Sequence, residues 1–309
     1  MKIVIPGGSG QVGQLLNRAL LARNHEVVVL SRHGTGTHAW DGKTLGSWAQ
    51  EIDGADVIIN LAGRSVNCRY TDKNLNDMLL SRVESTRVVG QAIAQASSPP
   101  KLWLQMSTAT IYAHRFDAVN DEYTGIICGQ EPEVPNYWGF SVDLAKAWEA
   151  EQENAQTPKT RKIALRTAMV MSPDKGGIFS VLKNLTRVGL GGSLAGGDQY
   201  VSWIHETDFV RAILFLIENE AICGAVNLTS PSPLPQRDFM ASLCKAMNKQ
   251  IALPATKWML EIGAFFMRTD TELLLKSRRV VPSRLLDAGF TFEQATWPAA
   301  AEELVSRTL

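Results

Sequence analysis

The sequence predicts an α/β protein with a doubly wound parallel sheet and a small, mostly helical C-terminal lobe. Three observations favour this fold class. Short β-branched runs alternate with helical patterns across the first half of the chain, a glycine-rich turn joins the first run to the first helix, and the pattern becomes mostly helical after about residue 230. Alternation of this kind is typical of βαβ units, whose strands lie parallel in one sheet.

The predicted strands are short apolar runs bounded by glycine, proline or polar residues. In chain order they are "KIVI", "EVVVL", "DVIINLAG", "KLWLQMS" and "KIALRTAMV". Helical patterns separate several of them, notably "QVGQLLNRALLARN" and "LLSRVESTRVVGQAIAQA". Because parallel neighbours need a long crossover connection, this order predicts helices packed on the faces of the sheet.

The C-terminal part of the chain has a different character. "SPSPLP" is a turn-rich break, and the helical pattern "RDFMASLCKAMNK" and a tail ending in "WPAAAEELVSR" follow it. We therefore assign residues 1–230 to the sheet domain, with 171–202 contributing to the lobe, and residues 231–309 to a small lobe that covers the carboxyl edge of the sheet.

Charge and composition exclude several classes of function. The 309 residues carry 31 Lys plus Arg and 31 Asp plus Glu, so no global field attracts nucleic acid or an anionic membrane. No window reaches the roughly 18 apolar residues of a membrane span. "MKIVIPGGSG" has only three consecutive apolar residues before Pro6, so we expect no signal peptide there. The four cysteines form no C-x-x-C, which is typical of buried thiols in a reducing compartment. We expect a cytoplasmic protein with a small-molecule substrate. The sequence leaves the question of a homodimer open.

The glycine-rich turn "PGGSGQVG" predicts a Rossmann-type dinucleotide site. Gly7 permits a tight turn, Gly10 lets a pyrophosphate approach the backbone, and Gly13 lets helix and strand pack closely. The first N–H groups and the dipole of the helix then receive the phosphates. The spacing is G-x-x-G-x-x-G rather than G-x-G-x-x-G, and Pro6 stands where threonine is more usual. The alternative interpretation is a glycine-rich turn without a ligand.

The end of the second strand indicates which dinucleotide binds. A carboxylate about 20 residues beyond the glycines would select NAD through the adenosine ribose. This strand ends in "VVVLSRH", with Ser31 and Arg32 and no acid. A guanidinium binds phosphate bidentately and suits the 2′-phosphate, so the sequence predicts NADP(H). The alternative is a solvated surface arginine.

These motifs stand in an order that resembles the extended short-chain dehydrogenase/reductases, which include nucleotide-sugar epimerases and dehydratases. "PGGSGQVG", "INLAG", "MSTATIY" and "SWIHETDFVRAI" carry this resemblance. Within that superfamily the chain is similar to the atypical YfcH-like group, often labelled NAD-dependent epimerase/dehydratase. The more specific segments are "GLGGSLAGGDQYVSWIHETDF", "NLTSPSP" and "RRVVPSRLLDAGFTF". The resemblance covers nearly the whole chain.

The resemblance implies a set of site residues. It implies cofactor contacts from Gly7, Gly10, Gln11, Val12, Gly13, Ser31, Arg32, Leu61, Ala62 and Ser107. It places Thr108 where the catalytic hydroxyl of the family binds a substrate oxygen, although Thr108 also suits a plain strand position. Arg82 matches a helix position often held by asparagine beside the active site. Its guanidinium is assigned to the cofactor site, with an acidic substrate or a helix cap as alternatives.

The Tyr-x-x-x-Lys pair of active relatives is missing. In those enzymes the ammonium lowers the phenol pKa so that it can exchange a proton. Here Tyr137 and Lys146 are nine residues apart, and at about 100° per residue one helix would hold them on opposite faces. No tyrosine of the chain has a lysine four residues later. The usual Tyr/Lys catalysis is therefore excluded.

Other side chains are candidates for the proton. Histidine in general can act as an acid or base near neutral pH, so His205, in "WIHETDF", is one candidate, although relatives use a similar histidine in a structural hydrogen bond. His114 and Lys146 are further candidates, each with a solvated position as the alternative. The glycine-rich segment 176–199 is expected to form a deformable wall of the substrate pocket, where Lys183 and Arg187 add positive charge.

Three hypotheses follow from the sequence. The first is an NADP(H)-dependent oxidoreductase or epimerase with an atypical proton donor. The second is a catalytically degenerate NADPH-binding sensor or partner-binding protein, which the missing pair motivates. The third is a purely structural protein that binds no dinucleotide. The intact glycine turn favours the first.

Overall fold

The computed structural model describes residues 1–32, 37–129, 131, 134–256 and 272–308. Within them, the strands are β1 (Lys2–Pro6), β2 (Glu26–Ser31), β3 (His38–Ala39), β4 (Val57–Asn60), β5 (Leu102–Thr108), β6 (Arg161–Thr167), β7 (Met169–Met171), β8 (Tyr200–Val201), β9 (Trp203–His205), β10 (Gly224–Leu228) and β11 (Leu234–Pro235). Seven of them form one sheet in the order β10-β6-β5-β4-β1-β2-β3. All its pairings are parallel, so the fold predicted from the sequence is confirmed.

The described helices are α1 (Gln11–Leu21), α2 (Asp72–Gln95), α3 (Gly139–Asn154), α4 (Ile178–Arg187), α5 (Glu206–Glu218), α6 (Gln236–Ala246), α7 (Glu272–Leu275), α8 (Ser283–Asp287) and α9 (Trp297–Ser306). Short 3-10 turns cover Ser47–Glu51, Ala109–Ile111 and Asn136–Trp138. Among the described helices, none combines the length and the hydrophobicity needed to cross a bilayer.

The two faces of the sheet bury different side chains of the same strands. In β1, Ile3 and Ile5 pack with α1 and α5 on one face, whereas Val4 packs with α2 on the other. This alternation follows the two-residue period of a strand. Each fully buried aliphatic side chain contributes about 1.5–3 kcal/mol. Because helices pack on both faces, the sheet is doubly wound. In such sheets a ligand binds at the carboxyl ends of the strands.

Two predicted elements differ from those observed. The strand predicted as "KIALRTAMV" is divided at Ala168, because β7 leaves the main sheet and pairs with β9. Helix α2 begins seven residues before its predicted start. Thr71 accepts a hydrogen bond from the Asn74 N–H and provides an N-cap that the periodicity does not reveal.

The lobe has its own apolar core. Met171 and Trp203, from the segment before residue 230, pack in it with Phe239 and Trp297. The Phe239 and Trp297 rings stack at 4.0 Å between centroids, and the Trp297 indole N–H donates to the Phe239 carbonyl at 2.7 Å. The boundary at residue 230 stays a prediction.

Part of the tail returns to the sheet domain. Leu285 and Phe290 belong to the core cluster that includes β1 and α5. Arg284 donates to the carbonyls of Cys223 and Ala225 at 2.6 and 2.7 Å, along β10 at the edge of the sheet. The tail therefore protects an edge strand that would otherwise offer unpaired carbonyls.

Candidate functional site

The glycine turn lies at the carboxyl end of β1. Gly7 has φ +74°, and a β-carbon on it would lie 2.6 Å from the Ala62 Cα. A β-carbon on Gly13 would lie 2.5 Å from the Gly8 backbone. Gly7 therefore needs both a left-handed conformation and close contact with the chain after β4. Gly13 packs against the turn itself, whereas the sequence indicated packing against the strand.

Gly10 leaves space at the start of α1. It is the N-cap residue with extended backbone, and no side chain caps the helix there. The nearest heavy atom to a β-carbon on Gly10 would be the Gly7 carbonyl oxygen at 3.9 Å. The first N–H groups of α1 thus face a surface that a phosphate can approach, which fits a dinucleotide pyrophosphate.

Gln11 and Val12 follow in the first turn of α1. Val12 packs against the apolar core. The Gln11 side-chain nitrogen is buried without a hydrogen-bond partner among the described residues. It lies against Gly177, at the start of α4 in the lobe. A buried donor without a partner is costly, so this amide needs an acceptor such as a cofactor oxygen.

Ser31 and Arg32 end β2 beside the glycine turn. Ser31 is buried, and its hydroxyl donates to the Ser9 hydroxyl at 3.2 Å. Arg32 is exposed and forms no ion pair with a described residue. The structure therefore places Arg32, whose guanidinium has no ion-pair partner among the described residues, beside the glycine turn. The NADP(H) prediction requires this arrangement.

Leu61 and Ala62 follow β4 and support Gly7. The Leu61 N–H donates to the Pro6 carbonyl at 2.8 Å. The Ala62 N–H donates to the Asn60 side-chain oxygen at 3.1 Å, and the Asn60 amide donates to Gln105 at 2.9 Å. These buried bonds hold the chain after β4 in place beneath the turn.

Ser107 belongs to a buried polar network. Its hydroxyl donates to Glu149 at 2.6 Å, and Arg166 forms two hydrogen bonds to the same carboxylate at 2.9 and 2.8 Å. Arg166 also donates to the Tyr112 hydroxyl at 2.9 Å, which donates to Asn227 at 3.0 Å. Burial lowers the pKa of Arg166, but the hydrogen bonds and charge of Glu149 outweigh it and raise that pKa above its usual range. The network links β5, α3, β6 and β10 just below the site.

Thr108 ends β5 and begins the 3-10 turn Ala109–Ile111. It is half-buried, and its hydroxyl oxygen accepts the Thr110 N–H at 3.1 Å. Among the described residues, no acceptor takes the hydroxyl hydrogen of Thr108. That hydrogen is therefore available to a substrate oxygen, which agrees with the role that the resemblance implies.

Helix α3 does not offer Tyr137 and Lys146 as a pair. Tyr137 lies in the 3-10 turn before the helix, and Lys146 is exposed on it. Ala145 packs against Ala109 in the turn that follows Thr108. The residue one helical turn before it is Ser141, so this face carries serine and alanine at the spacing where a Tyr/Lys pair would lie.

The tail supplies two buried ionisable groups that the sequence analysis missed. Glu272 accepts a hydrogen bond from the Ser141 hydroxyl at 2.6 Å. Lys276 Nζ donates to the Thr110 carbonyl at 2.9 Å and lies 4.0 Å from a Glu272 carboxylate oxygen. Burial lowers the pKa of Lys276 to about 8. In the sequence, the signal that could have indicated this pair is the spacing of four residues between Glu272 and Lys276 in the mostly helical tail.

Arg82 is nine-tenths buried on α2, with 8% of its surface exposed. It donates to the Met78 carbonyl at 3.0 Å, and its guanidinium lies 4.9 Å from the centre of the Trp148 ring. No described carboxylate pairs with it, and its Nε has no hydrogen-bond partner among the described residues. Burial lowers the pKa of Arg82 to about 10. The local pattern around Arg82 does not indicate this burial.

The structure places His205 in a helix-capping position, and its interpretation as a catalytic acid or base stays a prediction. His205 is buried, its Nδ1 accepts the Thr207 N–H at 3.1 Å, and its Nε2 bonds Glu303 at 2.9 Å. Both ring nitrogens are used, since the residue caps α5 and joins it to α9. The acidic residues that follow it, Glu206 and Asp208, are a helix-start signal that could have indicated this role.

The glycine-rich segment is not a deformable wall throughout. A β-carbon on Gly191 would lie 2.9 Å from the Cys244 sulfur, and one on Gly192 would lie 2.5 Å from the Leu253 carbonyl carbon. These glycines permit close packing in the lobe. Of the two cations on α4, Lys183 is half-buried and Arg187 is exposed, and neither forms an ion pair with a described residue.

The His114 Nδ1 accepts the Ser277 N–H at 2.8 Å, so this histidine joins the tail to the sheet domain.

The full-length relatives of this chain are epimerase family proteins. One from Staphylococcus aureus is 28% identical over 311 residues, which cover 98% of this chain and 99% of that protein. Epimerase family protein SDR39U1 of Homo sapiens is 28% identical over 312 residues, covering 99% and 100%.

Two solved structures are similar over nearly all of this chain. Human SDR39U1 (isoform 2), crystallised with NADPH, superposes with a TM-score of 0.87 at 27% identity and 99% coverage of both chains. A nucleoside-diphosphate sugar epimerase of Corynebacterium glutamicum has a TM-score of 0.76 at 26% identity, covering 98% of this chain and 58% of that one.

Two family models match the chain. Residues 255–304 match a domain of unknown function, DUF1731. Residues 3–228 match the model of the NAD dependent epimerase/dehydratase family. Because that match covers well over half of the chain, the protein belongs to the NAD dependent epimerase/dehydratase family.

Proposed function

We propose that the protein binds NADP(H) and is an oxidoreductase or nucleotide-sugar epimerase/dehydratase with an atypical active site. The observation that carries this proposal is the open N-terminus of α1 beside Ser31 and Arg32, whose guanidinium forms no ion pair with a described residue. A dinucleotide with a 2′-phosphate would satisfy both features at once. Human SDR39U1, similar to this chain over its whole length, was crystallised with NADPH.

The residues present fit such a cofactor. The chain between Gly7 and Gly13 would hold the pyrophosphate, the Gln11 amide would gain the acceptor it lacks, and Arg32 would bind the 2′-phosphate. Leu61 and Ala62 would line the path between the two ends of the site. When bound, the nicotinamide supplies hydride chemistry.

The side chains near the carboxyl end of β5 would orient the substrate. Thr108 would donate its hydroxyl hydrogen to a carbonyl or hydroxyl oxygen of the substrate. Glu149 holds the neighbouring Ser107 hydroxyl, so only Thr108 of this pair is free to act in that way. The usual phenol is absent, and the proton must therefore come from another group.

Replacing Arg32 with glutamate tests the cofactor assignment. We expect the variant to bind NADPH at least about tenfold more weakly, because a bidentate charge-assisted contact is lost and repulsion replaces it. Binding of NADH should stay nearly unchanged. Fluorescence titration of both cofactors measures this.

The control for that titration is Arg23→Glu, which makes the same charge change at an exposed position beyond the other end of α1. It should leave NADPH affinity as in the wild type. If Arg32→Glu binds both NADPH and NADH with the same affinity as the wild type, that result contradicts the assignment of Arg32. Failure of the wild-type chain to bind either cofactor contradicts the proposed function itself.

One observation favours a second candidate, a catalytically degenerate NADPH-binding sensor. The α3 face next to the Ala109–Ile111 turn carries Ser141 and Ala145 instead of a Tyr/Lys pair. Turnover of NADPH with a panel of carbonyl compounds and sugar nucleotides distinguishes the candidates. Turnover that Thr108→Val abolishes supports the enzyme, and its absence across the panel supports the sensor.

We also propose a cytoplasmic location and a small-molecule substrate, with neither nucleic acid nor a membrane as partner. The four cysteines, Cys68, Cys128, Cys223 and Cys244, are all free thiols, which a reducing compartment maintains. The balanced charge supports the absence of polyanionic partners. A homodimer stays an open expectation that sedimentation would test.

A further inference from the structure

The guanidinium of Arg82 is buried, and no carboxylate in the described part of the chain compensates its charge. Besides burial, the groups that influence its pKa are Tyr70 and Cys68. Both are ordinarily uncharged at neutral pH, so neither neutralises the cation. Buried arginines are almost always paired, since an unpaired buried charge costs several kcal/mol. Ionisable groups with strongly perturbed surroundings cluster at functional sites, so Arg82 is a candidate for ligand binding.

The Arg82 guanidinium packs against Gly63. This glycine is exposed and follows Leu61 and Ala62 at the end of β4. A β-carbon on it would lie 3.2 Å from the central guanidinium carbon of Arg82. Because Gly63 has no side chain, the Arg82 guanidinium can lie close to this exposed residue at the carboxyl edge of the sheet.

The position of Gly63 along that edge separates it from the cofactor phosphates. The strand order β2-β1-β4-β5 places Arg32, the start of α1, Gly63 and Thr108 in succession. A dinucleotide that puts its 2′-phosphate at Arg32 and its pyrophosphate at α1 directs its nicotinamide half towards β4 and β5. Gly63 and Arg82 thus lie between the pyrophosphate position and the hydroxyl of Thr108.

We propose that Arg82 receives an anionic group, a carboxylate or a phosphate, of the substrate, and that the substrate class is therefore anionic. This inference rests on the proposed function, because it assigns the nicotinamide half of the cofactor to β4 and β5. Arginine suits the task since its planar fork binds carboxylate and phosphate bidentately. The Trp148 ring and the Met78 carbonyl hold the guanidinium in place.

The test measures anion binding to the NADPH-saturated protein by calorimetry. Inorganic phosphate and malonate are the probes, with chloride at equal ionic strength as the reference. We expect both probes to bind the wild type, and Arg82→Met to bind them at least about tenfold more weakly, since a charge-assisted contact is lost. Arg82→Lys should retain part of the affinity. Gly63→Val, which covers the guanidinium without removing its charge, should also weaken binding.

Arg87→Met is the matched control. Arg87 lies on the same helix, but it is exposed and already paired with Glu151. It should bind both probes as the wild type does. Equal probe binding by wild type and Arg82→Met, or no binding by the wild type beyond chloride, overturns the proposal. If Arg82→Met instead loses NADPH affinity tenfold, the anion belongs to the cofactor and the substrate assignment is overturned.

A thermal melt of Arg82→Met without probe separates this role from a structural one. Removing an unpaired buried charge should leave Tm at or above the wild-type value. A fall in Tm with unchanged probe binding identifies a structural helix residue and overturns the proposal. Failure of the proposed function is distinct, because the wild type would then not bind NADPH at all.

Discussion

Replacing Glu149 with leucine should lower the stability of the protein by about 3–5 kcal/mol. The change leaves the Arg166 guanidinium, whose side chain is only 10% exposed, without its carboxylate. It also deprives the Ser107 hydroxyl of its acceptor. A buried charge without a partner keeps its full desolvation cost, whereas a solvated pair loses little. Thermal melting should report a fall in Tm of roughly 6 °C or more.

Two further variants make this prediction specific. Glu151→Leu lies two residues along α3 and removes a surface pair with Arg87, so it should cost less than about 1 kcal/mol. The double variant Glu149→Leu/Arg166→Met removes both charges. It should be more stable than Glu149→Leu alone, because no unpaired cation remains. Additive losses in the double variant would show that the ion pair is not the source of the effect.

The part of the candidate site that sequence reasoning can specify is local. Gly7 needs positive φ, and its neighbours in the chain form the turn, so composition and spacing suffice to identify it. Ser31 and Arg32 follow directly from the end of a strand whose position the glycines determine. Thr108 follows in the same way from the end of β5. Each of these residues is specified by the element that precedes it.

The remaining features depend on contacts between distant segments. Ser141 and Glu272 are 131 residues apart in the chain, yet share a hydrogen bond of 2.6 Å. Periodicity contains no information on such a pairing. His205 illustrates another difficulty, because a histidine before a helix has the same pattern whether it caps the helix or transfers a proton. The contact with Glu303, from the last described helix, is a tertiary feature of His205 that the local pattern does not contain.

The largest pH effect is expected from Lys276, which is almost completely buried at the turn that follows Thr108. Burial first, and then the Arg278 charge, lower the pKa of Lys276 from 10.5 to about 8, while Glu272, Glu131 and Cys128 act in the opposite direction. That difference corresponds to roughly 3 kcal/mol of folding free energy. Below pH 8 both the folded and the unfolded chain hold the proton, so the full penalty for burying the charge applies. Between pH 8 and 10.5 the folded chain has lost the proton that the unfolded chain still holds, and stability rises with pH.

Lys276→Met removes this pH dependence. Denaturant unfolding at pH 7 and at pH 10 should therefore show wild type gaining up to about 3 kcal/mol relative to the variant as the pH rises. Lys146→Met, at an exposed position on α3, is the control and should show no such gain. Parallel pH profiles of wild type and Lys276→Met would mean that the amine titrates as it does in water. A gain of the expected size would place an amine that titrates near neutral pH beside the turn of Thr108. That is the range in which a group exchanges protons effectively, and the phenol usual in relatives is absent from this position.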